Sequence, residues 1–370
     1  MRVAYFIGSL NRGGAEMLTL DIFRRKESCP YELLLIYRNE GELSEGFRRT
    51  GVPMFRIKPE NNKLGYFRQI RILLEQQKID VIHAQTLTNA LISVVSTLFS
   101  TIKIVASFHG FYGSAKMKII RHLVMWVADA LIFVSRFERD WYLKTSLFCP
   151  RNHCHVVYNG LSFDKLDIRY LIPDFIEASH LSKPESVCLV MVGNFAKGRS
   201  QFFLCKSLKR LVEEGERRFQ FFFVGKRVEA TPWRYDDCVR FCAENGLTEY
   251  VHFVGSRGDV PAILQHSDGF AYASEHDSFG IAVVEAVASG IPTLVNDWAV
   301  MQEVVGEKGW AEVYHTDDEE DFCSKMRTLI ENIEHRKRVA NEIKDEVRNK
   351  YSIEAHITNL YSVYGTLCKN

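Results

Sequence analysis

The chain alternates between short apolar, β-rich runs and amphipathic helical runs over most of its length. Seven β-rich runs occupy the first half: Arg2–Ile7, Glu32–Tyr37, Val52–Ile57, Val81–His83, Ile102–Phe108, Leu131–Val134 and His155–Tyr158. Helical patterns such as Gly65–Gln77 and Lys116–Ala128 lie between most of them. Strands that alternate with helices form mostly parallel sheets with helices on both faces. This half therefore predicts a doubly wound α/β domain.

A second series of strands begins at Val187 and indicates a second domain. Its runs are Val187–Gly193, Phe219–Val224, Tyr250–Val254, Gly269–Ala273 and Thr293–Val295. The length of 370 residues also fits two domains. The polar stretch with Pro173 and Pro184 has the composition of a linker. We predict domains at 1–172 and 187–350, a linker at 173–186 and a last amphipathic helix within 351–370.

Composition places the chain among ordinary globular proteins, with 46% hydrophobic and 25% charged residues. The 9 cysteines are scattered and odd in number, so we expect free thiols in a reducing compartment. Arg2 lies in the first apolar run, which predicts no signal peptide. The longest apolar stretch, Ala90–Phe108, contains Ser, Thr and Lys103, which disfavours a membrane span. A cytoplasmic location is expected, either free or peripheral on the inner face of the membrane.

Charge is distributed unevenly between the halves. Residues 1–180 hold 24 Lys and Arg against 17 Asp and Glu, a formal +7, and the remainder carries −6. The helical run Lys116–Trp126 combines basic with apolar and aromatic residues. Such a helix either lies on an anionic membrane surface or packs on its own domain with one solvated basic face. Both interpretations remain open at this stage.

The segment from Asp268 to Val295 predicts strand, loop, helix and strand in succession. An apolar run ends at Ala273, a helical face follows from Ile281, and Gly290 marks its end. The loop between them falls at the carboxyl end of the first strand, and open α/β sheets bind their ligands there. The segment therefore predicts a ligand site.

The residues of this loop fit a phosphate with hydroxyls on either side. Backbone N–H groups around Phe279, Gly280 and Ile281 would face outward at the helix N-terminus, where phosphate is bound by donors and dipole together. Asp277 and Glu285 bracket that end, and carboxylates accept hydrogen bonds from hydroxyls. A nucleotide sugar has this layout. Alternatively, Asp277 is only a helix N-cap and Glu285 a solvated helix residue.

The run Asp277–Glu285, followed by Ser289-Gly290-Ile291-Pro292, resembles the acidic motif of glycosyltransferase family 4. That motif has Glu, seven residues and Glu, with Phe-Gly inside; here Asp277 replaces the first Glu. The resemblance implies a GT-B fold, with two Rossmann-like domains facing a central cleft and a last helix, 351–370, that crosses back to the N-terminal domain. It also implies that Glu285 contacts the ribose and Asp277 the donor sugar.

Three further loops resemble elements of the same family. Gly13-Gly14-Ala15-Glu16 is similar to its N-terminal glycine element, and Phe253–Val260 to the loop that lines the nucleotide base. His109 follows a strand, and the resemblance implies contact with the donor sugar; a lone histidine is otherwise more often structural. The spacing at Gly13 is not Gly-x-Gly-x-x-Gly, which disfavours hydride chemistry.

The loop Gly193–Ser200 carries cations that suit a diphosphate leaving group. The family has Arg directly after the Gly and Lys five positions later. Here Asn194 takes the Arg position, Arg199 takes the Lys position, and Lys197 lies two residues earlier. A solvated loop with incidental cations is the alternative. Implied as catalytic are His109, Asp277 and Arg199; implied as donor-binding are Gly13, Gly14, Asn194, Lys197, Arg199, Gly255, Arg257, Ser278, Phe279, Gly280, Ile281 and Glu285.

Metal and cofactor chemistry find little support in the sequence. No Asp-x-Asp occurs, and Cys149, His153, Cys154 and His155 lack a second ligand pair at usable spacing for zinc. We expect no metal, no cofactor beyond the nucleotide sugar as substrate, and no nucleic acid partner.

The resemblance implies a retaining, metal-independent hexosyltransferase. It would move a sugar to a saccharide or lipid-linked saccharide acceptor in surface polysaccharide synthesis, with the first domain on the acceptor side. Two alternatives stay open: a catalytically weak member that partners an active transferase, which Asp277 and Asn194 motivate, and a sugar-nucleotide epimerase.

Overall fold

The computed structural model describes residues 1–59, 63–146 and 153–368. The chain forms two compact units, one of Met1–Ser162 with Tyr351–Asn370 and one of Phe163–Lys350. Each is built on its own parallel sheet. The predicted α/β class is confirmed.

The first unit contains a seven-stranded sheet in the order β3-β2-β1-β4-β5-β6-β7, in which all neighbours are parallel. The strands are β1 (Arg2–Ser9), β2 (Glu32–Asn39), β3 (Met54–Arg56), β4 (Val81–Ala84), β5 (Lys103–Phe108), β6 (Ala130–Phe133) and β7 (Cys154–Val156). The helices are α1 (Gly14–Arg24), α2 (Ser44–Arg49), α3 (Lys63–Gln76), α4 (Leu87–Ser96), α5 (Ala115–Val127) and α6 (Arg136–Thr145). The central strands are continuous apolar runs because both faces of the sheet are covered.

The last helix of the chain, Ile353–Cys368, belongs to this first unit. Ile357, Leu360 and Tyr364 recur at spacings of three and four, so they share one face of the helix. That face is buried in the core cluster that also contains Tyr5 and Ile7 of β1. The terminal helix therefore completes the hydrophobic core of the N-terminal sheet.

The second unit contains a six-stranded sheet in the order β10-β9-β8-β11-β12-β13, again parallel throughout. Its strands are β8 (Val187–Val192), β9 (Phe219–Val224), β10 (Val251–Gly255), β11 (Gly269–Tyr272), β12 (Thr293–Asn296) and β13 (Glu312–Tyr314). Its helices are α7 (Asp174–Ser182), α8 (Gln201–Glu213), α9 (Trp233–Glu244), α10 (Val260–His266), α11 (Ile281–Ala288), α12 (Ala299–Met301), α13 (Glu319–Glu331) and α14 (Ile333–Tyr351), and the terminal helix is α15.

The predicted boundaries differ from the observed ones at the junction of the two units. The stretch 173–186 holds helix α7, which buries Ile176 completely, so it is not an irregular linker. Residues 163–172 group with the second unit instead of the first. Strand β13 was not predicted, since only three residues form it between polar neighbours.

Several local predictions are confirmed. Gly290 follows α11 with φ +77°, the left-handed geometry that ends helices at glycine. Asp318 caps α13 by accepting from the Asp321 N–H at 2.9 Å. The acidic residues 317–321 therefore lie at the start of a helix, where negative charge is favourable. The cysteines in the described ranges are unpaired thiols, while Cys149 lies outside those ranges. Among the described helices, none is long and apolar enough to cross a lipid bilayer.

Candidate active site

Helix α11 in the second unit begins at Ile281, and its N-cap is Gly280 in the left-handed region, with φ +84°. Asp277 lies three residues before that cap, so the N-cap alternative for this carboxylate is wrong. A Cβ on Gly280 would lie 2.6 Å from Cε of Met301. The left-handed backbone conformation favours glycine at this position, and a larger residue would also displace the Met301 methyl group. The N–H groups of Val283 and Val284 donate to the Gly280 carbonyl, whereas those of Ile281 and Ala282 precede any residue whose carbonyl could accept from them within the helix.

The loop before α11 is fixed to its neighbours through Ser274. The Asn296 side chain at the end of β12 accepts from the Ser274 N–H at 3.0 Å and donates to its carbonyl at 2.8 Å. Ser274 Oγ donates to the Gly198 carbonyl at 3.1 Å and accepts from the Asp277 N–H at 3.1 Å. Two loops at the carboxyl edge of the sheet are thus held together by one buried serine.

A charged cluster joins these two loops. The Arg199 Nε–H donates to the Tyr272 hydroxyl at 2.7 Å, and that hydroxyl donates to Asp277 Oδ2 at 2.5 Å. Arg199 Nη2 lies 3.4 Å from Asp277 Oδ1. The Arg199 and Asp277 side chains are 25% and 19% exposed, and Tyr272 is fully buried. The structure therefore brings together Arg199 and Asp277, two of the residues predicted as catalytic.

The electrostatics of this cluster keep Arg199 and Tyr272 in defined protonation states. Tyr272 and Asp277 raise the pKa of the Arg199 guanidinium, which stays a cation. Burial, followed by the Asp277 charge, raises the pKa of the Tyr272 phenol. The phenol is therefore a protonated donor at neutral pH. A cation partly open to solvent and paired with a carboxylate is a suitable partner for a phosphate.

The other residues of the Gly193–Ser200 loop have separate roles. Asn194 Oδ1 accepts from the Lys226 N–H at 3.1 Å, so this side chain is hydrogen-bonded to the backbone after β9. Lys197 is exposed. Gly198 has φ +90°, and a Cβ there would lie 2.6 Å from Cβ of His276. The alternative of a wholly solvated loop is wrong for Arg199.

The loop predicted to line the nucleotide base follows β10. Gly255 has φ +70° with open space around its Cα. Arg257 makes two hydrogen bonds to Asp259, at 2.9 and 2.6 Å, and its guanidinium lies 5.4 Å from the Phe175 ring centroid. The Arg257 side chain is thus held by its own unit.

The remaining second-unit residues surround the start of α11. Phe279 is 2% exposed, so its side chain belongs to the core of the second unit. Ser278 and Ile281 are half-buried on either side of it. Glu285 is half-buried one turn inside the helix, as predicted.

In the first unit, the predicted residue His109 belongs to a second, neutral group. His109 follows β5 and its Nε2 lies 3.0 Å from Gln85 Oε1. Burial lowers the pKa of His109 to about 4, so the imidazole is neutral at pH 7. Gly13 is the N-cap of α1 and Gly14 its first residue, so this helix start has the predicted location.

Two buried histidines that the sequence interpretation missed lie in the same group. His83 contacts the Tyr364 hydroxyl at 2.6 Å and the Ser107 hydroxyl at 2.7 Å. The His356 Nδ1–H donates to the Tyr158 carbonyl at 2.7 Å, and burial lowers the pKa of this imidazole to about 4. Their partners come from distant parts of the chain, so no local pattern could have identified them.

Tyr272 is the missed residue with the most direct contact to the predicted site. It ends β11, in a run that was interpreted as purely apolar core. The available signal was chemical: a tyrosine at the carboxyl end of a buried strand must place its hydroxyl near a polar partner. Trp298 is a second case, since its indole N–H donates to the Asp277 carbonyl at 3.1 Å.

Comparisons with known proteins cover both units. Residues 12–165 match the family model described as Glycosyltransferase Family 4, and residues 174–346 match the model described as Glycosyl transferases group 1. Together the matches extend over most of the chain.

Similar proteins include the capsular polysaccharide biosynthesis glycosyltransferase CapH of Staphylococcus aureus. It is 22% identical over 297 residues, which cover 77% of this chain and 78% of CapH. The UDP-Gal:α-D-GlcNAc-diphosphoundecaprenol α-1,3-galactosyltransferase of Escherichia coli is 20% identical over 302 residues, covering 77% and 76%.

The fold matches solved structures along its whole length. Anabaena HepE in complex with UDP and glucose superposes with a TM-score of 0.84 at 16% identity, covering 99% of this chain and all of that one. The apo lipopolysaccharide outer core galactosyltransferase WaaB gives a TM-score of 0.72 at 15% identity, with 99% of each chain covered. The two family matches, which include the loops around Arg199 and Asp277, show that this chain is a GT-B glycosyltransferase of family 4.

Proposed function

We propose that the protein transfers a hexose from a nucleotide sugar with retention of anomeric configuration and without a metal ion. The observation that carries this proposal is the cluster of Arg199, Tyr272 and Asp277 at the carboxyl edge of the second sheet, next to the start of α11. A fixed cation near the backbone N–H groups at the start of α11 suits a diphosphate whose negative charge grows as the glycosidic bond breaks. The same charge stabilisation makes a metal ion unnecessary.

Each predicted residue has a role in this scheme. Arg199, with the backbone N–H groups from Ser278 to Ile281, binds the diphosphate. Glu285 accepts hydrogen bonds from the ribose hydroxyls, and Asp277 and the neutral His109 contact the transferred sugar. Contacts with the rest of the nucleotide fall to the backbone at Gly255 and Arg257, to Gly13 and Gly14, and to Asn194 and Lys197.

The acceptor is proposed to be a saccharide or a lipid-linked saccharide in surface polysaccharide synthesis. The names of two similar proteins support this, because one refers to capsular polysaccharide and the other to a diphosphoundecaprenol-linked sugar. The bound UDP in the HepE structure supports a uridine nucleotide as the donor to test first.

A thermal-shift screen of UDP-, GDP-, ADP- and dTDP-sugars tests the donor class, since a ligand bound only by the folded state raises Tm. For the best donor, Glu285→Gln should weaken binding by about 1.5 to 3 kcal/mol in isothermal titration, because a charge-assisted hydrogen bond is lost. Equal affinity would remove Glu285 from the site. Binding without transfer would favour the catalytically weak partner, and conversion of the sugar nucleotide itself would favour an epimerase.

We also propose that the first unit docks on an anionic membrane surface, and the structure changes the residues involved. Arg121 is only 1% exposed, lies 5.5 Å from the ring centroids of Trp141 and Tyr142, and donates to the Thr145 carbonyl. The prediction that it forms part of an exposed basic face is wrong. The exposed face of α5 instead presents Lys116, Lys118, Ile119, Leu123 and Trp126, the last 70% exposed.

Flotation with anionic vesicles tests this docking. Binding should weaken as salt rises, and further in Lys116→Gln with Lys118→Gln, since each basic residue near the surface contributes about 1 kcal/mol. Trp126→Ala should weaken binding, whereas Trp233→Ala, which removes an exposed tryptophan of the second unit, should not. Protein that stays in the soluble fraction at low salt would rule out the docking.

A further inference from the structure

We propose that Tyr272 is a positioning residue for the transfer reaction. Its buried hydroxyl holds the Arg199 guanidinium and the Asp277 carboxylate apart, in the arrangement that departure of the diphosphate requires. This inference rests on the proposed function, because it assigns a role within that site.

The direction of the hydrogen bonds follows from the chemistry of the three groups. Arginine has no acceptor, so the contact at 2.7 Å must be donated by Arg199 Nε–H to the Tyr272 oxygen. A tyrosine hydroxyl has a single proton, which then goes to Asp277 Oδ2 at 2.5 Å. A chain of hydrogen bonds therefore runs from cation through phenol to carboxylate.

This arrangement keeps Arg199 from closing directly onto Asp277. Arginine and carboxylate prefer two short parallel hydrogen bonds, yet here the direct Nη2–Oδ1 distance is 3.4 Å. The Tyr272 hydroxyl takes both the Nε–H and one carboxylate oxygen that such a pair would use. Of the five guanidinium N–H groups, three have acceptors among the described residues: Tyr272, Asp277 and the Asn194 carbonyl. Two are left for phosphate oxygens.

Packing confines the guanidinium further. A Cβ on Gly193 would lie 3.1 to 3.3 Å from Cδ, Nε and Cζ of Arg199, so the arginine lies directly against this glycine. The Tyr272 ring centroid is 5.9 Å from Arg199 Cζ. Gly193 and the Tyr272 ring thus lie on the covered part of the Arg199 side chain, and the Tyr272 hydroxyl lies between its Nε–H and Asp277 Oδ2.

The test compares Tyr272→Phe with wild type on the preferred donor. Phenylalanine keeps the ring and removes the hydroxyl, so Arg199 should pair directly with Asp277. We expect kcat to fall at least tenfold while the donor KM changes less than threefold, because the ribose and helix N-terminus contacts remain. UDP should also bind more weakly. If the hydroxyl is only structural, its removal should lower Tm without a fall in kcat that exceeds the change in KM.

Tyr314→Phe is the matched control. It also removes a buried hydroxyl in this sheet, but that hydroxyl contacts neither Arg199 nor Asp277. It should lower Tm by a similar amount and leave kcat within twofold of wild type. In an Arg199→Ala background, Tyr272→Phe should change kcat less than twofold, since the two residues act as a unit.

The outcomes separate this role from the proposed function. A wild-type protein that binds no nucleotide sugar overturns the proposed function and the Tyr272 role with it. If the wild type is active and Tyr272→Phe and Tyr314→Phe have equal kcat values, only the Tyr272 role is overturned. The same holds if Tyr272→Phe still lowers kcat tenfold in the Arg199→Ala background.

If the Tyr272→Phe variant fails to fold, a measurement on the wild type still tests the positioning role. The Arg199 Nε–H signal in the ¹⁵N–¹H NMR spectrum, identified by its loss in Arg199→Lys, should exchange slowly with water. Fast exchange would overturn the positioning role.

Discussion

The two units place buried polar side chains at the carboxyl edge of a parallel sheet, but they satisfy those side chains differently. In the first unit, His83, His109 and His356 are neutral, because burial lowers their pKa values and their partners are hydroxyls, an amide and a carbonyl. In the second unit, Arg199 and Asp277 form a partly buried ion pair, and the buried Tyr272 phenol bonds to both of them.

The difference follows from the cost of burying charge. An isolated charge is expensive to remove from water, so a histidine without a carboxylate nearby gives up its proton instead. A guanidinium cannot do so and needs a counter-charge. The second unit therefore presents a permanent cation to a phosphate, while the first presents neutral donors and acceptors that suit sugar hydroxyls.

The largest expected effect comes from removing Tyr364, the α15 residue that contacts His83 in the neutral group. Tyr364→Ala removes a fully buried ring and leaves His83 Nδ1 without its hydroxyl partner. We expect a loss of about 3 to 5 kcal/mol in the free energy of unfolding. Tyr361→Ala, one turn earlier on the same helix and 43% exposed, should cost less than about 1 kcal/mol. Urea denaturation measures both, and equal losses would contradict the role of α15 in this core.

A smaller effect is expected from breaking the charged group. Arg199→Ala should lower kcat by about two orders of magnitude or more, because the leaving diphosphate loses its cation. Lys197→Ala should cost much less, since that side chain is exposed and lies outside the cluster with Tyr272. Initial rates of nucleotide release decide this; near-native rates for both variants would show that the cluster is only structural.

The smallest expected effect concerns pH and the neutral group. His356 has a folded-state pKa of about 4, below the ordinary value near 6.5, so the unfolded chain binds its proton first. The free energy of unfolding therefore keeps its full value above about pH 6.5 and decreases as the pH falls from there toward 4, because the unfolded state gains the proton. At pH 5, we expect His356 to account for about 1 to 2 kcal/mol of lost stability.

Urea unfolding at pH 7 and pH 5 measures this loss. His356→Gln should reduce the difference between the two pH values, whereas His335→Gln, at an exposed position on α14, should not. Identical pH dependence in the wild type and the His356 variant would show that this imidazole is not buried neutral.

Much of the fold could be predicted because strand and helix patterns are local. The two prolines near α7 show where such patterns mislead. Pro173 directly precedes the first helical residue and Pro184 follows the helix end, so they delimit a helix instead of marking a linker. Both positions are ones where proline is tolerated, since no helical N–H is lost there.

The candidate site was predictable only in part, for a related reason. Asp277 and Arg199 lie in loops at strand ends, and Glu285 lies one turn inside the helix that follows, so their positions could be inferred from the order of elements. Tyr272 and His83 could not, because what they do depends on partners far along the chain; His83 and Tyr364 are 281 residues apart. Sequence identifies the side chains that such loops present, but not the buried groups that orient them.

The position of α15 has a consequence for how the protein is made. The strands of the first sheet have all been synthesised once Ser162 is added, yet its core lacks Leu360 and Tyr364 until the 188 residues of Phe163–Lys350 and then most of α15 have been added. At about 5 to 20 residues per second, the ribosome needs roughly 10 to 40 s for that intervening unit. During this interval, Tyr5 and His83 lack the Tyr364 hydroxyl that they contact in the folded protein. A chaperone that binds nascent apolar surface therefore has a defined place and time to act on this chain.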